Sequence, residues 1–275
     1  MTDYCTLERA AAREGAAGEL LGLAAAMLAA VAAGRSPVRA VRHPLGFFCL
    51  PVLRDGHGRG ACVHVFGSRA AAVTTSGLHC HSWELTSCVL YGQVGNVRLE
   101  VRDAGRADPS PPDPASADPA SADPASADPV SADPVSGGQT SAGQTSAVTS
   151  PESGAPGAYG PTHRVFEVRS RPFGVDEIQP TPRLVRCEAG PVQTSRRGEI
   201  YTLPAGEFHF TDVPEGAAAA TLVLGRSVPD RTDLSLGPVH GTGHRVVRRQ
   251  CDSPLTARIA GSALRRVHDP SSGTS

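Results

Sequence analysis

A pentapeptide, Asp-Pro-(Ala/Val)-Ser-Ala, recurs in the middle of the chain with its aspartates at 113, 118, 123, 128 and 133. A proline at every fifth position removes ladder donors and blocks a helix, and a repeat without large apolar residues has no face to bury. From Ala107 to about Gly160 the composition stays Pro, Ser, Ala, Asp, Gly and Thr. This stretch is expected to be a disordered insertion in a strand-to-strand loop. The aspartate spacing matches no calcium loop. Whatever packs must therefore come from the two flanks, and they can meet across the insertion because each doubling of a surface loop costs only ~0.6 kcal/mol.

Both flanks read as β-structure. Residues His43–Arg54 form an apolar run broken by Pro51, and Asp55-Gly56-His57-Gly58 is a turn signal. Ala61–Phe66 alternates, so His64 sits on one defined face, where it is read as a hydrogen-bonded structural histidine, with a cavity-lining position as the alternative. Gly77–Tyr91 follows, then an expected hairpin through Gly92–Asn96 into Val97–Val101. Past the insertion, Thr162–Arg169 alternates and is expected to pair with 97–101. Leu184–Glu188, the strand ending at Leu203, and Ala217–Gly225 complete the set. Short strands bounded by Gly and Pro, roughly eight to ten of them, signal an all-β barrel or sandwich.

The two ends differ. Residues 4–34 are rich in Ala and Leu with scattered charges, a helix-forming composition. Their uncharged run, Leu20–Ala33, falls short of the ~18–20 apolar residues that span a bilayer, so helices packed on the barrel or on a dimer partner are expected. Residues 254–267 read as a terminal helix and 268–275 as a polar tail. In Pro238–Arg249, His240 and His244 are spaced as helix-borne ligands, but the intervening glycines argue for a loop, and neither is counted as a ligand.

Composition removes several chemistries. The formal net charge is −1, which gives no argument for nucleic acid. No lysine occurs anywhere in the chain, so neither a Schiff base nor a Walker lysine is available, and no Gly-x-Ser-x-Gly elbow is present. Seven cysteines (5, 49, 62, 80, 88, 187 and 251) are scattered without a Cys-x-x-Cys pair, the usage of a reducing compartment. Asp3 and Glu8 stand where a secretory leader would be basic, so a cytoplasmic location is expected.

Two stretches carry chemistry. In His79-Cys80-His81 the histidines share a strand face, about 7 Å apart along the strand. More than a hundred residues on, a strand ends in Pro204-Ala205-Gly206 and the next opens with His209. Together these resemble the two metal-binding motifs of the cupin superfamily. Gly198, Pro204, Gly206 and His209 match the second motif, G-(x)5-P-x-G-x-x-H, position for position; His79, His81 and Gly92 match the first. That family normally carries a glycine where Val73 stands here, and its acidic ligand follows the second histidine by four or five residues, whereas Glu84 follows by three. Alternation from His81 reaches Trp83 and Leu85, so Glu84 is expected to face outward or to support a ligand from behind. A bulge at Ser82–Trp83 would instead turn it inward as a fourth ligand.

The resemblance implies an all-β fold, a cupin jelly-roll barrel with an N-terminal helical extension and the long Pro/Ala/Ser/Asp insertion. The resulting partition is a helical extension at 1–36, a barrel from 37–106 and 161–250, the insertion at 107–160, and a C-terminal helix and tail at 251–275. It implies one divalent first-row ion on His79, His81 and His209, Fe(II) favoured over Zn, Mn, Ni or Cu. Imidazole alone suits all of these. The expected activity is that of a mononuclear non-haem iron dioxygenase acting on a small polar molecule: an amino acid, a thiol or a small acid. A metal-dependent isomerase or lyase and a non-catalytic ligand-binding or regulatory cupin are the alternatives. The expected partner is a small-molecule substrate, with no nucleic acid and no membrane, and a homodimer is compatible with the helical ends.

Overall fold

The computed structural model describes residues 2–67, 76–107, 160–171 and 174–269. The disorder expected at 107–160 falls outside them except at the two ends. The helices are α1 (Tyr4–Ala11), α2 (Ala17–Ala32) and α3 (Ser253–His268). The strands before the insertion are β1 (Val41–Arg42), β2 (Phe48–Arg54), β3 (Arg59–Phe66), β4 (His79–Cys80), β5 (Trp83–Tyr91) and β6 (Gln93–Arg106). After it come β7 (Thr162–Arg171), β8 (Val175–Arg196), β9 (Ile200–Leu203), β10 (His209–Asp212), β11 (Ala219–Ser227), β12 (Asp233–Gly237) and β13 (His244–Val247).

The strands build two antiparallel sheets in a sandwich approaching a barrel. The first runs β1-β2-β3-β11-β5-β9; the second runs β13-β8-β6-β10-β4-β12-β7, with β8 also pairing β7 so that this sheet curls back on itself. Alternation assigns the faces. In β3, Ala61 and Val63 join a core with the three helices, so Cys62, His64 and Phe66 face the interior between the sheets. On β5 and β9 the inward set includes Leu85 and Leu203, which pack with Val223, Trp83 and Tyr201. A separate core of Cys80, Leu99, Val165, Val185, Phe208 and Leu236 lies on the other face of the second sheet.

The helices cover the outer face of the first sheet. α1 starts at Asp3, whose carboxylate accepts the Thr6 N–H at 2.8 Å. α3 starts at Asp252, which accepts from Leu255 N at 2.7 Å. Thr256, Ile259, Ala260, Ala263 and Val267 are buried along α3, the spacing of one helical stripe. The uncharged run of α2 buries Leu20, Ala24, Leu28 and Val31. Among the described residues no helix is long and apolar enough to cross a membrane.

Three pairings differ from the sequence expectation. Gly92 does not turn a hairpin: β5 belongs to the first sheet and β6 to the second, and Gly92, at φ +71, is the corner between them. A Cβ there would collide with the Ala218 carbonyl oxygen. The strand after the insertion does not pair with 97–101, because β8 lies between: Val101 opposes Cys187 and Thr162 opposes Arg186. Pro51, lacking an N–H, sits in the register shift between Leu50 and Leu53 of β2.

The third concerns His79 and His81, which do not share one continuous strand. β4 is part of the second sheet and β5 part of the first, and the chain crosses between them at His81–Ser82.

Candidate metal centre

Two crossings lie side by side and create the site. The chain passes from the second sheet to the first at His81–Ser82, and back from β9 to β10 through Pro204–Phe208. On one side of this seam Leu85 opposes Leu203 in the β5–β9 pair; on the other His79 opposes His209 in the β4–β10 pair. Between them the Gly206 N–H donates to the His81 carbonyl at 2.8 Å. Gly206 has φ +80, a conformation open to glycine at little cost, and Pro204 pre-sets the turn entry. The crossing at His81–Ser82 is held from the other direction by Asp233, whose carboxylate accepts the Ser82 N–H at 2.6 Å.

The three imidazoles meet at this seam. Ring centroids are 4.7 Å apart for His79–His81, 4.6 Å for His79–His209 and 5.2 Å for His81–His209. One ring nitrogen from each lies within 4.8 Å of the others. The Nδ1 of His79 lies 2.7 Å from the Gly77 carbonyl oxygen, and that of His209 lies 2.9 Å from the Glu207 carbonyl oxygen. A carbonyl can only accept, so both Nδ1 atoms carry the proton and both Nε2 lone pairs are free. The Glu207 segment is itself anchored by Arg98, whose Nε pairs with the Glu207 carboxylate at 2.8 Å while another guanidinium nitrogen donates to the Thr202 carbonyl at 3.0 Å.

Electrostatics favour the neutral, ligating form. Burial, and then the neighbouring His79, push His209 down to about 3. Burial lowers His79, offset in part by the Gly77 carbonyl. His81 is held well below the usual imidazole range by burial and then by His79, His209 and His64. Three neutral imidazoles with one ring nitrogen each within 4.8 Å of the others, two of them with carbonyl-fixed tautomers, fit a divalent first-row ion. Among the described residues no carboxylate or thiol joins the group.

Glu84 lies elsewhere. Its carboxylate is on the outer face, 51% exposed, and pairs with Arg226 at 2.6 Å. It opposes Arg226 directly in the β5–β11 register, with no bulge at Ser82–Trp83 to turn it inward. It neither joins the three histidines nor bonds to one from behind. His240 and His244 are exposed and also stand apart from the group.

Several neighbours were not legible from the sequence. Trp83 packs against His81 with centroids 4.6 Å apart, and Asp233 holds the crossing. Ser87 and Asn96 are buried, both side chains hydrogen-bond with Tyr201, and the Asn96 Oδ1 accepts from the Thr211 hydroxyl at 3.0 Å. The inward alternation of Trp83 and Ser87 from His81 was the available signal; nothing local marked Asp233. His64, read as a structural histidine, faces the interior, 4.5 Å from Phe47 by ring centroids. No family model and no curated protein matches the chain.

Proposed function

We propose that the chain is a cupin-type metalloprotein that holds one divalent first-row ion, Fe(II) favoured, on ring nitrogens of His79, His81 and His209, and acts as a dioxygenase on a small polar molecule. The observation that carries this reading is the convergence of three neutral imidazoles from two distant sheet crossings with no carboxylate among them. Three neutral ligands on one side of an ion leave its remaining positions open to oxygen and substrate; the non-haem iron oxygenases keep such open positions on a triad of two histidines and a carboxylate, here replaced by a third histidine. When bound, the ion would supply a redox-active centre at which oxygen and substrate can meet.

The chain's own groups have separate tasks. Gly77 and Glu207 carbonyls hold the tautomers of His79 and His209. The seam of hydrogen bonds around Gly206 and Asp233 fixes the crossing that aims His81. Trp83 packs against the His81 ring and limits how it can turn. Ser87, Asn96 and Tyr201 form a buried polar group on the interior side, with which a polar substrate can exchange hydrogen bonds. A polar lining of this kind suits an amino acid, thiol or small acid better than an apolar substrate.

The test is metal analysis of freshly purified protein, followed by oxygen uptake with the iron-loaded protein against a panel of amino acids, thiols and small acids. Stoichiometric metal lost in His79→Ala, His81→Ala and His209→Ala, with substrate-dependent oxygen uptake, is the expected result. Metal binding without oxygen uptake, but with conversion of a panel compound under anaerobic conditions, would replace the dioxygenase with Lewis-acid chemistry.

A further inference from the structure

A second set of metal-ligating side chains faces the same interior. Cys49 of β2 stands directly opposite His64 of β3, and Cys62 lies two residues before His64 on the same face of that strand. One ligand atom from each, Sγ, Sγ and a ring nitrogen, lies within 4.8 Å of the others. All three are partly buried, and both cysteines are free thiols. This group shares no residue with the three-histidine cluster.

We propose that Cys49, Cys62 and His64 form a second, thiolate-rich metal site that takes zinc(II), with the fourth position left to water or another small ligand. Two sulfurs and one imidazole are a donor set of structural and catalytic zinc sites. Tetrahedral zinc with Zn–S of about 2.3 Å and Zn–N of about 2.0 Å needs its donors roughly 3.5–3.8 Å apart, a contraction from the observed bound that side-chain rotation can supply. The β2–β3 register is regular from Phe48 to Leu50, which sets Cys49 against His64, while Cys62 falls opposite the shift at Pro51–Val52. His64 is packed between Phe47, at 4.5 Å, and Phe66, at 6.4 Å, which limits how its ring can turn.

The geometry favours an ion over a disulfide. Because Cys49 opposes His64, Cys62 is its diagonal neighbour. Diagonal positions on an antiparallel pair are about 7–8 Å apart, against a usual Cα separation of 4.4–6.8 Å for a disulfide. An ion between the two sulfurs tolerates that offset, since each sulfur bonds the metal and not its neighbour. Binding involves no redox step: each thiol that becomes a zinc thiolate releases its proton to solvent.

Cobalt(II) and zinc(II) added to the metal-free full-length chain test this directly. Thiolate-to-cobalt charge-transfer absorption can arise only from a cysteine ligand, so it reports this site and is silent about the three histidines. Cobalt should produce that band, which zinc should displace, and zinc should protect Cys49 and Cys62 from alkylation in the native protein while other accessible cysteines stay reactive. His209→Ala should keep the band; Cys62→Ser should lose it and keep binding at the histidine cluster. Absence of the band, equal alkylation of Cys49 and Cys62 with and without zinc, or a Cys49–Cys62 disulfide in protein that binds no thiophilic ion would each overturn the proposal. The alkylation readout needs no substitution, so a poorly folding Cys62→Ser leaves the test decisive.

Discussion

Glu84 shows how one residue's position depends on the pairing of its strand. It follows His81 closely in sequence, yet it opposes Arg226 across β5–β11 and bonds to it on the outer face. An exposed pair of this kind contributes about 0–1 kcal/mol. Glu84→Gln should therefore leave metal stoichiometry at the level of the unsubstituted chain and shift stability by less than about 1 kcal/mol. Metal titration beside His81→Ala checks it: if Glu84→Gln empties the site as His81→Ala should, the carboxylate is a ligand and the three-histidine assignment fails. His81 owes its place to a backbone bond, from Gly206 N–H to its carbonyl, more than to strand alternation.

At the scale of elements, the first sheet separates two jobs. Its inner face carries Cys62, His64 and the packing around Trp83, while its outer face is covered by α1, α2 and α3. Leu28 of α2 is fully buried on that outer side. Removing most of a buried leucine side chain costs about 2–5 kcal/mol through lost transfer energy and the cavity left behind. Leu28→Ala should lower unfolding free energy in that range and leave metal bound per folded chain unchanged, because the histidines lie across the sheet. Chemical denaturation and metal analysis on the same preparation measure both; loss of metal from fully folded Leu28→Ala would show that the helices shape the site.

At the scale of the molecule, the long insertion spans a short gap. Ala107 N–H donates to the Pro182 carbonyl at 2.8 Å and Gly160 N–H to the Cys187 carbonyl at 3.3 Å. Both ends thus flank β8, one on each side; two strand spacings and a five-residue offset along β8 put them roughly 20 Å apart. Replacing residues 108–159 with a short Gly/Ser linker should preserve folding and metal content. A large fall in melting temperature after the replacement, or loss of metal, would show that the repeat supports the described fold.

What the sequence determined by itself is local. Alternation marked the strands, Pro204-Ala205-Gly206 marked a turn that needs its glycine, and the composition of 4–34 and 254–267 marked the helices. Histidine as the donor type was legible too, since His79, His81 and His209 stand in a recognisable spacing. Tertiary structure decided which strands are partners. Period-2 alternation says which side chains share a face, but it carries no information on which strand lies alongside or where the chain changes sheets. That is why the corner at Gly92, the crossing at His81–Ser82 and the placement of β8 between β6 and β7 were not legible. The same reason hid the cluster of Cys49, Cys62 and His64, whose members look like isolated core residues until the β2–β3 register sets Cys49 opposite His64.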